Sequence, residues 1–390
     1  MDKFERVQRA LDHREPDRIP TISCMDVQNY VYKALGEPAP KLLTNYFGHP
    51  LVSRLVDWTA PLLNKIGGLE KDFLNFFSKK VEADIAMGFD ATWNVYVEIF
   101  RLKDSRHMRD IWGRYYKIVY DNDGNMLMPA YITGLFETPD DWKSWNKKEW
   151  DEHPEKMFKF NREMFARFGR DIYMFGSHLF GLFEQAWQPF GFEKFIRLLQ
   201  KEKGFIEEVI EYNKNWYLKC IDASVDAGFP AIIYADDMAF KNGPMLSPRM
   251  MDGLFGKAFK EITDRAHQKG VKILIHTDGN TKPLLNKFIE WGFDGQHSLE
   301  PNADQVDIGV FREMVGHKLA FMGHLDITHV LSFGTRQEVF DHVRECALKA
   351  GHGGGLLLGP CNSHHEIKVQ NLKWMIEACA QMTYPLAAND

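Results

Sequence analysis

Imidazole, thiol and carboxylate side chains lie at the ends of several short apolar runs in this 390-residue sequence. His276 and Asp278 end the run KILIHTD, His297 and Glu300 occur in the next run, DGQHSLE, and Cys361 ends GLLLGPC. Because His276 and Asp278 are two residues apart, an extended segment points both side chains to the same side. Zinc accepts nitrogen, sulfur and oxygen ligands, and a catalytic zinc leaves one coordination position open. These residue types therefore indicate a candidate zinc site; the alternative is that they are only packed and hydrogen-bonded in a core.

Two further apolar runs also end in acidic residues. Asp236 and Asp237 end AIIYADD, and Asp326 ends LAFMGHLD two residues after His324. We predict that Asp237 orients a substrate or donates a proton to it, because a carboxyl group beside a metal site can serve as a general acid. Asp236 is predicted to have a structural role.

Eight such apolar runs are present, and the later ones are separated by helical patterns. Helical periodicity is clear in residues 248–269 and again in residues 335–350, where Thr335 is the predicted N-cap. Short buried strands that alternate with helices pair in parallel, so the order of elements predicts a (β/α)8 TIM barrel, with an open doubly wound sheet as the alternative. The C-terminal ends of barrel strands meet at one mouth, where the residues named above would converge. The runs begin at Ile19, Ala91, Asp171, Ala231, Lys272, Asp294, Leu319 and Gly355.

Two regions interrupt this alternation, and we predict that residues 1–390 form a single barrel domain that carries them as insertions. Residues 30–81 are predicted to be helical. Residues 111–170 begin with IWGRYYKIVYDNDGNMLMPAYITG, which alternates on both sides of an Asp-Gly-Asn turn and predicts a hairpin. From residue 136 onward the pattern predicts surface helices. The helical insertion and the hairpin are expected to lie as lids over one end of the barrel.

The composition excludes several classes of protein. Hydrophobic residues make up 45% of the chain and charged residues 26%, which is ordinary for a soluble globular protein. A net charge of −6 lacks the basic character that nucleic-acid binding requires. The charged start and the lack of a long apolar stretch predict neither a signal peptide nor a membrane span, so we expect a cytoplasmic protein. Five cysteines without short paired spacings argue against a disulfide framework.

Long segments of the sequence resemble the uroporphyrinogen decarboxylase superfamily. The resemblance is carried by HTDGNTKPLLNKFIEWGFDGQHSLEP, LAFMGHLDITHVLSFGTRQEVFDHV and GGGLLLGPCNSHHEIKVQNLKWMIEA, together with GLFEQAWQPFGFEKF, YADDMAFKNGPMLSP and ERVQRALDHREPDRIP. These segments span nearly the whole chain, and residues 104–170 match least. The resemblance implies a (β/α)8 barrel, in agreement with the eight apolar runs, and a homodimer is the usual expectation for this family.

The residues distinguish two branches of this superfamily. Uroporphyrinogen decarboxylases carry an arginine-rich RQAGR motif after the first strand, because their substrate bears many carboxylates. Here that stretch is SCMDVQNYVY, without arginine. The other branch comprises corrinoid-dependent methyltransferases, whose thiol-methylating members hold zinc with His-x-Cys and a later Cys. In this chain His276 and Cys361 match the first and last ligands, but Asp278 stands at the middle position.

The departure at Asp278 suggests the chemistry. Replacing a thiolate by a carboxylate leaves a harder zinc ion, which is better at polarising an ether oxygen as a Lewis acid. An aryl methyl ether is a poor methyl donor unless the developing phenolate charge is stabilised. We therefore predict a zinc-dependent methyltransferase of O-demethylation, which moves a methyl group from a methoxylated aromatic compound to the cob(I)alamin of a corrinoid protein.

The resemblance also implies roles for individual residues. His276 and Cys361 are the predicted zinc ligands, and Glu300 and Asp278 compete for the remaining protein position. Glu184 and Tyr234 are predicted to contact substrate. The sequence contains no Asp-x-His-x-x-Gly cobalamin signature, so the cobalamin must arrive on a partner corrinoid protein that docks at the barrel mouth.

Three alternatives stay open at this point. One is methyl transfer in the other direction or with another donor, such as a methylamine or methanol, to or from a thiol. Another is a metal-free decarboxylase that acts on a smaller acid. The third is a non-catalytic protein that binds a tetrapyrrole or corrinoid.

Overall fold

Eight parallel strands form a barrel in the computed structural model, which describes residues 1–38, 50–66, 68–96, 101–120, 127, 129–178 and 180–387. Neighbouring strands of the barrel follow one another in chain order. All eight predicted runs supply one strand each, which confirms the (β/α)8 barrel and excludes the open doubly wound sheet. The strands are β1 (Ile22–Ser23), β2 (Ala91–Val95), β7 (Tyr173–His178), β8 (Ala231–Ala235), β11 (Lys272–Thr277), β12 (Gly295–Ser298), β13 (Ala320–Leu325) and β14 (Leu356–Pro360).

The first and last strands meet at a short seam. β1 contains two residues. Thr21, the residue just before it, forms a single parallel bridge with Leu358 of β14. The Leu358 N–H donates a hydrogen bond of 3.0 Å to the Pro20 carbonyl oxygen at this bridge. The barrel is therefore nearly closed, and the seam is its least extensively hydrogen-bonded junction.

Helices surround the barrel because their apolar faces cover the outer faces of the strands. Side chains that point inward form one buried cluster, and the layer between strands and helices forms a larger one. Thr335 caps α15 and exchanges hydrogen bonds with Glu338, which confirms the predicted N-cap. The outer helices are α1 (Lys3–Leu11), α7 (Leu182–Trp187), α8 (Phe192–Lys201), α9 (Lys203–Asp226), α10 (Pro248–Met251), α11 (Lys257–Gln268), α12 (Leu285–Glu290), α13 (Ile308–Val315), α14 (Val330–Phe333), α15 (Arg336–Ala350) and α16 (Val369–Gln381).

Shorter elements complete the barrel loops. A π-helical turn, Asp252–Gly256, joins α10 to α11, so the helix predicted for residues 248–269 is present with a widened turn in it. Two short strands, β9 (Ala239–Phe240) and β10 (Gly243–Pro244), form an antiparallel pair after β8. A 3-10 turn, Lys282–Leu284, precedes α12.

The first insertion is helical where it is described, as predicted. It contains α2 (Gln28–Leu35), α3 (Pro50–Ile66) and α4 (Gly68–Met87), while residues 39–49 and 67 of the prediction lie outside the described residues. Lys80 of α4 is 1% exposed and donates hydrogen bonds to Thr92 Oγ1 (2.7 Å) and to the Trp93 carbonyl oxygen (2.8 Å). This side chain fastens the insertion to β2.

The second insertion contains the predicted hairpin. β5 (Arg114–Lys117) and β6 (Ala130–Gly134) pair in antiparallel register, and β3 (Arg101–Leu102) and β4 (His107–Arg109) extend them to a four-stranded sheet. The predicted Asp-Gly-Asn turn lies outside the described residues. Helices α5 (Pro139–Ser144) and α6 (Lys148–Phe168) follow, but Trp142 and Trp150 are buried, so these helices are packed into the protein rather than lying loosely on its surface.

The base of the barrel, where the strands begin, buries charge in fully paired networks. Asp90, which is 0% exposed, accepts hydrogen bonds from Arg6, Arg18 and both the N–H and the hydroxyl of Thr21. Arg312 donates to the backbone carbonyls of Ala350, Gly316, Leu319 and Gly355. These contacts tie the starts of the first and last strands to the surrounding helices.

A run of three glycines also belongs to the base. Gly353, Gly354 and Gly355 have φ angles of +74°, +83° and +77°, a left-handed conformation that glycine adopts without strain. A Cβ atom on Gly354 would lie 2.7 Å from the Arg14 carbonyl oxygen. The close approach of the loop after α1 therefore requires glycine at this position.

No helix among the described residues combines the length and the apolar character that a membrane crossing requires.

Candidate functional site at the barrel mouth

The C-terminal ends of β8, β11 and β12 bring the predicted residues of the mouth together. The pairing register places His276 of β11 beside Ala235 of β8 on one side and His297 of β12 on the other. Asp237 and Asp278 follow two residues after Ala235 and His276. Side chains from three adjacent strands therefore converge, as the barrel geometry predicts.

Asp237, His276 and Asp278 form the tightest group of potential metal ligands in the described part of the chain. One ligand atom from each residue lies within 4.8 Å of the ligand atoms of the other two. His276 is buried, whereas the two carboxylates are partly exposed. This geometry lets the three side chains converge on a single ion.

Asp278 is held in place by hydrogen bonds on both carboxylate oxygens. Ser298 donates its hydroxyl to Oδ1 at 2.5 Å, and Asn362 donates its amide to Oδ2 at 2.5 Å. The Asp278 N–H donates to Asp237 Oδ1 at 3.1 Å. Burial, followed by the negative charge of Asp237, raises the pKa of Asp278 to about 6. The site thus contains a carboxylate whose negative charge is not balanced by a neighbouring cation.

His276 makes its ring contact with a second histidine. Its Nδ1 lies 2.7 Å from Nδ1 of His297, a side chain that is 0% exposed. The Trp93 ring packs edge-on against both imidazoles, with centroid distances of 5.0 Å and 5.2 Å. Because Nδ1 of His276 is engaged, Nε2 is the nitrogen left to bind a metal.

Cys361 and Glu300 lie at the same mouth but outside the tight group of three. Cys361 is 1% exposed, and burial raises the pKa of its thiol well above the usual value, with Asp278, Cys24 and Glu300 adding to the effect. The backbone N–H of Ile327 partly opposes this rise in the pKa of Cys361. Glu300 accepts a hydrogen bond of 3.1 Å from the Gly279 N–H. Both residues remain predicted ligands.

Asp236 organises the start of α7. Its carboxylate accepts hydrogen bonds of 3.0 Å from the backbone N–H groups of Phe183 and Glu184. Gly181 precedes the helix, and a Cβ there would lie 2.3 Å from the Asp236 side chain, so only glycine permits this approach. Burial raises the pKa of Asp236 to about 7. These contacts agree with the structural role predicted for Asp236.

Tyr234 and Glu184 occupy different surroundings. The Tyr234 ring is buried between strands and helices, where it packs against Tyr217. Its hydroxyl accepts a hydrogen bond of 2.6 Å from the Leu182 N–H and donates one of 3.1 Å to Asp236. These contacts are structural, and its substrate contact stays a prediction. Glu184 Oε2 accepts a hydrogen bond of 3.3 Å from the Asp237 N–H, which places Glu184 beside the candidate ligands.

A buried polar chain connects Glu184 to the small sheet. Gln188 donates to Glu184 Oε1 at 2.6 Å, and Arg114 of β5 donates to Gln188 Oε1 at 2.8 Å. Burial, followed by the charges of Asp237 and Asp236, raises the pKa of Glu184 well above its usual value, and Arg114 partly opposes this. The second insertion thus contacts the mouth, in line with its expected position at one end of the barrel.

The structure adds Ser298 and Asn362 to the site and gives new roles to two residues that the sequence had already placed there. Asp237, predicted as a proton donor, also qualifies as a ligand, and His297, Ser298 and Asn362 hold the other two ligands in place. Their positions at or just after the ends of barrel strands were visible in the sequence. Which side chains face one another depended on the register between strands, which no spacing within a single strand reveals.

Comparisons with known proteins agree with this architecture. A curated relative, the methylated-thiol–coenzyme M methyltransferase of Methanosarcina mazei, is 23% identical over 174 residues. This match covers 42% of the present chain and 44% of the relative, so the chain spans less than half of that relative's length. The solved structure of a methyltransferase from Methanosarcina mazei superposes with a TM-score of 0.70 at 15% identity, over 98% of this chain and 99% of that one, which shows a shared fold.

The family pattern of uroporphyrinogen decarboxylase (URO-D) matches residues 180–382, from the loop before α7 to the end of α16. The matched region is more than half of the chain and includes every residue of the tight group at the mouth. The resemblance of the sequence segments, the barrel and this match agree, and the chain belongs to the uroporphyrinogen decarboxylase family.

Proposed function

We propose that this protein is a zinc-dependent methyltransferase that moves a methyl group from a methoxylated aromatic compound to the cob(I)alamin of a corrinoid protein. The observation that carries the proposal is the convergence of Asp237, His276 and Asp278 within 4.8 Å at the barrel mouth. The family membership and the methyltransferase names of the two relatives support the class of reaction.

The donor set fits a divalent ion of intermediate hardness. An imidazole and two carboxylates offer three protein ligands and leave a fourth position open, which is the pattern of catalytic zinc sites. A cation between Asp237 and Asp278 would also relieve the repulsion that raises the pKa of Asp278. We assign His276 and Asp278 as ligands, with Asp237, Cys361 and Glu300 as the residues that can complete the set.

The carboxylates favour an ether oxygen as the target. When bound, zinc supplies Lewis-acid stabilisation of the negative charge that develops on the oxygen as the methyl group departs. Carboxylate oxygens donate less charge to the ion than two thiolates would, so the ion remains a stronger Lewis acid. The replacement of cysteine by Asp278 at the middle position of the motif is therefore consistent with a phenolic leaving group.

The chain's own residues supply orientation and a proton. In the overall reaction the ether C–O bond breaks, its electron pair stays on oxygen, and the methyl carbon bonds to cobalt using the electron pair of cob(I)alamin. The phenolate that is left must then gain a proton. Burial and neighbouring carboxylates raise the pKa of Glu184 well above its usual value, which favours its protonated form, and Glu184 lies beside Asp237. With Cys361 or Glu300 completing the metal ligands, Asp237 is free to act as a proton donor, and we assign this proton transfer to Asp237 and Glu184 together.

A methylated thiol as the methyl donor is the second candidate. It is favoured by the name of the curated relative, a methylated-thiol–coenzyme M methyltransferase. The carboxylate at Asp278 argues against it, because thiolate-rich zinc sites suit sulfur substrates better.

The test combines metal analysis with a methyl-transfer assay. We expect about one zinc per purified chain, in keeping with a single catalytic site, and its loss in Asp278→Ala and Cys361→Ala. Cys346→Ala is the matched control, because Cys346 is an equally buried cysteine on α15, outside the mouth. With a reduced corrinoid protein, a methoxybenzoate should yield methylcobalamin and the corresponding hydroxybenzoate.

Two outcomes would redirect the proposal. If methylcobalamin forms from a methylated thiol and not from a methoxybenzoate, the second candidate replaces the first. If the wild-type chain binds no zinc after supplementation and transfers no methyl group, the metal-dependent mechanism is wrong.

A further inference from the structure

We infer that His297 sets the proton position of His276 and thereby makes Nε2 of His276 the metal-binding atom. This inference rests on the metal site of the proposed function. It assigns a positioning role to a residue that the sequence placed near the candidate zinc site without giving it a role of its own.

The geometry fixes which atoms of the two rings meet. His276 and His297 are direct partners in the parallel register of β11 and β12. Their Nδ1 atoms are 2.7 Å apart, which is a hydrogen-bonding distance and too short for two bare nitrogens. One proton must therefore lie between the rings.

Counting protons distinguishes two arrangements of the neutral pair. If His297 is the donor, His276 carries its own proton on Nε2 and cannot bind a metal through that atom. If His276 is the donor, its Nε2 is bare and can bind a metal, while His297 accepts at Nδ1 and is protonated on Nε2. Metal binding at the mouth is compatible only with the second arrangement, in which His297 acts as an acceptor.

Packing holds the His297 ring in this orientation. The ring is 0% exposed and lies against Trp93, which also contacts His276. On the opposite edge, Nε2 has no hydrogen-bond partner among the described residues, and it lies beside Gly323, where a Cβ would be 3.4 Å away. Within the part of the chain that the structure describes, the His297 ring thus makes its polar contact with His276 alone.

The choice of histidine has an electrostatic reason. Histidine ligands of metals usually donate their second N–H to a carboxylate, a carbonyl or a water. A carboxylate at position 297 would add a buried negative charge next to Asp237 and Asp278, where repulsion between carboxylates is already present. A neutral imidazole accepts the same proton without adding charge.

The experiment compares zinc affinity in three chains by competition with a chromophoric chelator. His297→Leu removes the acceptor, and we expect it to weaken zinc binding about 10- to 100-fold. His297→Asn places an amide oxygen near the former Nδ1 position, and we expect affinity close to that of the wild type because the acceptor is restored. His153→Gln, which alters another buried histidine on α6, is the control and should leave affinity unchanged.

Nitrogen NMR of the imidazoles gives an independent readout that does not need a folded variant. Zinc addition to the wild type should give a protonated Nδ1 and a metal-bound Nε2 on His276, with Nδ1 of His297 bare. If the wild type binds zinc and His297→Leu binds it equally well, or if Nδ1 of His297 stays protonated, the inference is wrong while the proposed function stands. If the wild type binds no zinc at all, the proposed function fails first, and the inference falls with it.

Discussion

The two ends of the barrel differ in whether their buried charged groups have partners of opposite charge or hydrogen-bond acceptors. At the base, Asp90 is paired with Arg6 and Arg18, and Arg312 is surrounded by four carbonyl oxygens. At the mouth, five carboxyl groups gather, and none forms an ion pair with a residue that the structure describes. These groups belong to Glu184, Asp236, Asp237, Asp278 and Glu300.

This contrast separates stability from function. A carboxylate that is fully paired stabilises the fold, whereas a buried carboxylate without a cation is unfavourable, as the raised pKa values of Asp236 and Asp278 show. In barrels of this type the C-terminal face carries the chemistry and the N-terminal face carries stability. We therefore expect substitutions at the base to lower the free energy of unfolding, and substitutions at the mouth to lower activity without that loss.

The largest effect should come from removing the charge of Asp90. Asp90→Asn leaves the partly buried Arg18 without its carboxylate and the buried Arg6 with Asp17 alone, so the free energy of unfolding should fall by about 3–5 kcal/mol in denaturant titrations. Asp17→Asn is the control, because Asp17 pairs with the same Arg6 but its side chain is 38% exposed, and its loss should change stability by about 1 kcal/mol or less. Equal losses from both variants would contradict the assignment of the base as a buried network.

The mirror experiment at the mouth is Asp278→Asn. It removes a proposed metal ligand, so methyl transfer should fall by at least about 100-fold, beyond the 10- to 100-fold typical of losing a supporting contact. Because an unbalanced negative charge disappears as well, the free energy of unfolding of the metal-free protein should stay unchanged or rise. If Asp278→Asn lowered the free energy of unfolding as much as Asp90→Asn does, the proposed division between a stabilising base and a functional mouth would be wrong.

A smaller effect is expected in the glycine loop of the base. Gly354→Ala places a Cβ 2.7 Å from the Arg14 carbonyl oxygen at a φ of +83°, and it should destabilise the fold by about 1–3 kcal/mol. Gly36→Ala has a φ of +68° and a ψ of 22° with open space around it, so it measures the cost of the left-handed backbone alone and should destabilise less. Both variants should keep the activity of the folded protein.

The smallest effect concerns acid stability at the base. Burial, followed by the charge of Arg312, lowers the pKa of His13 to about 4 from its usual 6.5. The folded state therefore disfavours protonated His13, and its contribution to stability is complete above pH 6.5 and is lost as the pH falls toward 4. In His13→Asn, which suits the φ of +53° at this position, the unfolding midpoint should decline less over that range. An unchanged pH dependence would mean that His13 does not couple folding to acid.

The sequence predicted the order and number of barrel strands because each run was short, apolar and followed by a polar end. It also placed His276 and Asp278 at one mouth, since their spacing lies within one strand. It did not reveal the pairing of His276 with His297, because that depends on the register between β11 and β12. Nor did it reveal that Arg114 of the second insertion is linked to Glu184 through Gln188. Arg114 and Gln188 are 74 residues apart in the sequence, so no local pattern predicts their hydrogen bond.

The short seam between β1 and β14 has a consequence for how the chain is made. Cys24 donates a hydrogen bond to the Pro360 carbonyl oxygen across 336 residues, so this junction cannot form until β14 has left the ribosome. Until then the edges of the first and the latest strand remain unpaired, and unpaired edges are where chains associate wrongly. Nascent chains that stop before β14 should consequently be the species that most need a chaperone.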